Sequence, residues 1–79
     1  MQYVVRVKPS VEKELANISL EARGSVQAAL IMIAANPLAG RKLHGKHADF
    51  HTLHFWPHRL IYRIHRREAM VIVIGIAQG

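Results

Sequence analysis

The 79-residue chain has no cysteine, one tryptophan, two tyrosines, two phenylalanines and only five acidic side chains against eleven Lys and Arg. Without cysteine there is no disulfide and no thiolate zinc cluster, so a reducing, cytoplasmic setting is expected. The acids are Glu12, Glu14, Glu21, Asp49 and Glu68, too few and too scattered for a catalytic carboxylate pair. A glycine-rich phosphate loop and a nucleophile elbow are absent as well. The last apolar run, Ala69 to Ala77, falls far short of the about 18 residues a membrane span needs. Met1 to Arg6 alternates and carries charge too early for a signal peptide. A chain this short has surface for one modest core, so residues 1–79 read as a single domain.

What is present is cationic and local. Between Gly40 and Arg67 lie Arg41, Lys42, Lys46, Arg59, Arg63, Arg66 and Arg67, opposed only by Asp49, so this stretch holds the whole net charge of +6. All six histidines (His44, His47, His51, His54, His58 and His65) share the window. A field of one sign, concentrated in a third of the chain, suits a polyanion or an acidic protein. Its bland counterpart is a solvated basic face.

Periodicity orders the chain as β-α-α-β-β-β. Tyr3, Val5 and Val7 alternate with Gln2, Arg6 and Lys8 as in a half-buried strand. Pro9-Ser10 ends it, with Ser10 as helix cap, and a short helix runs to about Asn17. Ser19 caps a longer helix, Leu20 to Ala35, stopped by Asn36-Pro37. Its core stripe is Val26, Leu30 and Ile33 with Ala22 and Ala29. Ile31 and Met32 point elsewhere and need cover from the first helix or from a partner. Leu38 to Ala48 reads as a basic loop. Phe50 to Phe55 and Arg59 to His65 then form a hairpin about Trp56-Pro57, and Ala69 to Ala77, lacking alternation, reads as a central strand covered on both faces. The expected fold is α+β: a helical hairpin on a four-stranded, mainly antiparallel sheet.

If Phe55 faces His58 across the hairpin, His54 lies opposite Arg59, Thr52 opposite Ile61 and Phe50 opposite Arg63. His51, Leu53, Phe55, Leu60, Tyr62 and Ile64 then turn toward the helices, making His51 a core histidine and leaving His54, Arg59 and Arg63 on the other face. An imidazole beside guanidinium groups is the minimum kit for metal-free RNA cleavage. The 2′-hydroxyl must lose a proton, the 5′-oxygen must gain one, and cations must hold the charge of the phosphorane. The same pair can also bind phosphate without reacting. Lys42, His44, Lys46 and His47 would add phosphate contacts from the basic loop. His44-x2-His47 and His51-x2-His54 have metal-ligand spacing, but an offset of three on a strand sends its side chains to opposite faces, so no metal or other cofactor is expected. Trp56 and Phe50 could stack on bases or simply pack.

Taken in order, Val7-Lys8-Pro9-Ser10-Val11-Glu12-Lys13-Glu14-Leu15, the Asn36-Pro37 stop, Lys42-Leu43-His44-Gly45-Lys46, His58-Arg59-Leu60-Ile61-Tyr62 and Val71-Ile72-Val73-Ile74-Gly75-Ile76 resemble the RelE/ParE toxin superfamily of type II toxin–antitoxin systems. The resemblance implies a cytoplasmic toxin held by a cognate antitoxin in a hetero-oligomer. In the favoured RelE-like branch it implies an mRNA endonuclease that acts on the ribosome and inhibits translation. The family's arginine then falls on Arg59, with His58 before it, and the second-strand positions fall on Thr52 and His54, of which His54 alone can carry a proton. Residues that the branch carries after the last strand would fall on or beyond Gln78-Gly79. The alternatives are a ParE-like inhibitor of DNA gyrase and a degenerate toxin that only binds antitoxin.

Overall fold

The computed structural model describes residues 2–43 and 50–78. Val4–Val7 forms β1, Pro9–Ala16 α1, Leu20–Ala35 α2, Arg41–Lys42 β2, Phe50–Phe55 β3, His58–His65 β4 and Met70–Gln78 β5, with a short 3-10 turn at Pro37–Ala39 before β2. The sheet order is β1-β5-β4-β3-β2. β1 runs parallel to β5, with Val5 opposite Val71, and the remaining pairs are antiparallel. The α+β expectation is correct, but the sheet has five strands rather than four. The added strand comes from the expected basic loop, where Arg41 pairs with Thr52 and Lys42 with His51. Two residues are too few for any periodicity to announce a strand, and only the free edge of β3 recruits them.

Ser19 caps α2 as expected, its hydroxyl accepting the Ala22 N–H at 3.1 Å. The cap of α1 is different. Lys8 takes that position without a side-chain bond and Pro9 is the first helical residue, since proline's fixed φ suits the first turn and it has no N–H to leave unpaired. Both helices lie on one face of the sheet, where Val11, Val26, Ala29 and Ile33 meet Phe55, Leu60, Tyr62, Val71 and Val73 in a single core. β5 is central, yet only Val71 and Val73 on the helix side are buried, while Ile72 and Ile74 are half-buried. The expectation of cover on both faces therefore fails among the described residues, for both helices stack on one side. A register shift between Ile61 and Tyr62 sets Gly75 opposite Ile61 and Val73 opposite Tyr62. The extra residue, Ile74, lets Val73 and Ile76 both reach the core.

Tyr62 fastens the 3-10 turn to the sheet. Its hydroxyl donates to the Pro37 carbonyl at 2.6 Å and accepts the Gly40 N–H at 3.1 Å. A Cβ on Gly40 would strike that hydroxyl and the Thr52 carbonyl, so only glycine allows the close approach. Tyr62→Phe keeps the shape but leaves buried backbone groups unpaired, and should lower the unfolding free energy by about 1–3 kcal/mol in denaturant titrations. Burial raises the Tyr62 pKa above the ordinary phenol value, with the Gly40 N–H acting against it. A raised folded pKa means stability that is complete below about 10 and lost as pH climbs through the folded value. Alkaline unfolding should therefore be less steep in Tyr62→Phe than in the parent.

Candidate functional site

The hairpin places the candidate residues by register. His54 lies opposite Arg59, Thr52 opposite Ile61, Phe50 opposite Arg63 and Phe55 opposite His58, the pairing that the alternation of apolar and polar residues calls for. Beside the β2–β3 edge, Ala39, Gly40, Arg41, Leu43, Thr52, Leu53, His54 and Arg59 line a cleft of about 450 Å³. Its wall is the turn held by Tyr62 and its floor is the sheet, so the clamp that fixes Gly40 also shapes the cleft.

His54 is exposed and Arg59 half-buried. The Nε of Arg59 is shielded from solvent and has no hydrogen-bond partner among the described residues. A buried guanidinium donor is costly to leave unpaired, while the half-buried Arg59 side chain as a whole still sets its charge on the cleft wall. Arg63 lies farther along the same face, its guanidinium 5.9 Å from the centre of the Phe50 ring. That cation–π contact holds the charge against the ring without neutralising it, and Arg63 is not among the residues that line the cleft.

His58 is on the other side of the sheet. It stacks on Phe55 with ring centroids 5.5 Å apart and lines a hollow with Glu14, Asn17, Ile18 and Ile76. Adjacent residues on a strand point to opposite faces, so His58 and Arg59 do not meet at one site. The same rule puts Lys42, partner of the inward His51, off the cleft, and Arg41, partner of Thr52, on it. Arg41 is the site residue that the sequence reading passed over as one more loop cation. His51 is buried and stacks on Tyr62 at 5.6 Å. Trp56 is 83% exposed at the hairpin tip. His44, Lys46 and His47 lie outside the described residues. No three His, Asp or Glu side chains converge among the described residues, and no described helix is long and apolar enough to cross a membrane.

The family model described as ParE toxin of type II toxin-antitoxin system, parDE, matches residues 5–79, nearly the whole chain. This chain belongs to the ParE toxin family. It is therefore a type II toxin–antitoxin toxin of the RelE/ParE superfamily. A search of curated proteins gives no match. Among solved structures, a chain of the toxin–antitoxin complex RelBE2 from Mycobacterium tuberculosis superposes with a TM-score of 0.90 at 20% identity, over 100% of both chains. The isolated RelE toxin of E. coli gives 0.86 at 20% identity, over 98% of this chain and 84% of that one. The archaeal RelE-RelB complex from Pyrococcus horikoshii gives 0.87 at 16% identity, over 99% and 96%. At such identities the shared feature is the fold.

Proposed function

We propose that this toxin is a metal-independent endoribonuclease that cuts messenger RNA on the ribosome and is restrained by a cognate antitoxin. The observation that carries the reading is the cross-strand pairing of His54 with Arg59 on the wall of one cleft that Arg41 also lines. In the cleft, the scissile phosphate lies against the Arg59 guanidinium, with Arg41 beside it and Arg63 farther along the same face. His54 accepts the 2′-hydroxyl proton as that oxygen attacks phosphorus, and water on the leaving-group side gives a proton to the departing 5′-oxygen. The guanidinium charges hold the phosphorane, whose negative charge exceeds that of the substrate. His58 supports the hairpin from the helix side rather than touching RNA.

The fold of this chain is that of RelE proteins solved with RelB antitoxin. By charge, an acidic extended segment of an antitoxin would be drawn to Arg59 and Arg63 and would exclude RNA from the cleft. A second reading is gyrase inhibition by protein contact, favoured by the ParE name of the matching family model. Induction of this chain alone, followed by primer extension on cellular messages and a gyrase supercoiling assay, separates the two. New message ends with unaltered supercoiling support the nuclease. Blocked supercoiling with intact messages overturns it.

A further inference from the structure

The chain's one tryptophan is left outside the core. Trp56 is 83% exposed at the tip of the β3–β4 hairpin, the most exposed of the large apolar side chains among the described residues. Tryptophan is highly buried on average because its rings carry so much apolar surface, yet here the fold leaves them uncovered. Phe50 differs, for the Arg63 guanidinium sits over its ring. Trp56 is also close to the cleft. Of the residues that line it, His54 and Arg59 are the pair nearest the hairpin tip, and only the Phe55–His58 pair separates them from Trp56. Those two rings stack on each other on the helix side, so they leave the opposite side of the tip open. Carried one residue past β3, the two-residue period sets Trp56 with His54 rather than with the inward Phe55. From Phe50 to Arg67 the sequence has no acidic residue, so the hairpin itself repels no polyanion.

We infer that Trp56 is the stacking platform for one base of the single-stranded RNA, the base next to the phosphate held at His54 and Arg59. The inference rests on the nuclease reading and adds a subsite that neither charge nor proton transfer supplies. Two residues of strand rise about 7 Å, a span comparable to one nucleotide of extended chain. An RNA that leaves the cleft past His54 therefore brings its next base to the indole. Exposed aromatic rings beside cations are how proteins grip unpaired bases, because every base has a π-face and a duplex hides it. The surroundings of the ring favour this occupant over a protein. A protein hot spot lies within a patch of contacts that exclude water, whereas the tip offers a lone ring flanked by His54 and Arg59. Such a grip is tolerant of sequence. Its work is to fix the strand so that the 2′-hydroxyl stays against His54.

The test uses the tryptophan itself, since the chain has no other. Its emission should fall on titration with a single-stranded RNA methylated at every 2′-oxygen, which has no hydroxyl left to attack and cannot be cut. The midpoint should match the affinity read from the anisotropy of the same RNA carrying a dye. Trp56→Ala should weaken that binding, and raise KM for a message on ribosomes, by roughly 5- to 150-fold with kcat and thermal unfolding little changed. Trp56→Phe keeps a π-face and should recover most of the loss. Trp56→Leu is apolar without one and should not. RNA binding that is lost in Arg59→Ala but leaves the parent's emission unaltered, or a KM unmoved in Trp56→Ala, overturns the stacking inference and leaves the nuclease reading standing. If the parent neither binds RNA nor cuts messages, both fall. A Trp56→Ala protein that cuts as the parent does but no longer binds the adjacent gene's product assigns the ring to the antitoxin, and overturns the inference as well.

Discussion

His54→Gln is expected to lower RNA cleavage by roughly 10²–10⁴, the usual worth of a positioned proton carrier, while the protein still folds and binds ribosomes. The expectation rests on position. His54 is exposed on the cleft face and packs in no core, so glutamine keeps the hydrogen-bonding capacity and removes only the ability to take up and release a proton. His58→Gln is the control. Its imidazole stacks on Phe55 on the helix side, so the change should cost stability, about 0.5–1.5 kcal/mol for a lost aromatic contact, and spare the chemical step. Cleavage of a defined message in a reconstituted ribosome assay, read beside thermal unfolding, separates the two effects. If His58→Gln abolishes cleavage in a folded protein and His54→Gln does not, the proton carrier is on the wrong face of the sheet.

Arg59→Ala should reduce cleavage by about 10²–10³, corresponding to roughly 2.7–4 kcal/mol of lost transition-state stabilisation. Arg59 is suited to this because it lines the cleft opposite His54, and its Nε has no partner among the described residues, so removing the side chain breaks no hydrogen bond there. Stability should hold or rise, since an unsatisfied buried donor disappears with it. Arg59→Lys is informative beside it. A lysine keeps the charge without the planar fork that can grip two phosphate oxygens, so it should recover only part of the rate. Growth inhibition on induction and single-turnover cleavage are the readouts. A folded Arg59→Ala protein as toxic as the parent would remove the phosphate from this cleft.

The contrast between His54 and His58 shows what a linear reading can reach. Once the turn at Trp56-Pro57 fixes Phe55 against His58, the two-residue period assigns every side chain of β3 and β4 to a face, and the structure has the register so derived. The helix face of His58 follows from that same period. The resemblance to toxins put His58 beside Arg59 as a site candidate because the two are neighbours in the motif, and neighbours on a strand are the residues that cannot share a face. Lys42 and Arg41 differ in the same way, but their faces depend on pairing with His51 and Thr52, which no local pattern of two residues discloses.

From its sequence alone, the order of the elements other than β2, the hairpin register, the Ser19 cap and the placement of all surplus charge in one window are determined, because each depends on neighbours a few residues apart. The tertiary structure decided the rest. It recruited β2 to the edge of β3 and packed both described helices on one side of the sheet, leaving the outer side of β5 without one among the described residues. It also brought Gly40 against Tyr62, 22 residues away, so that the turn walls a cleft beside Arg59. These are contacts between segments distant along the chain, set by which faces remain free after the helices pack. Hydrophobic periodicity records that a residue faces inward or outward, and carries no information about which other segment it will meet there.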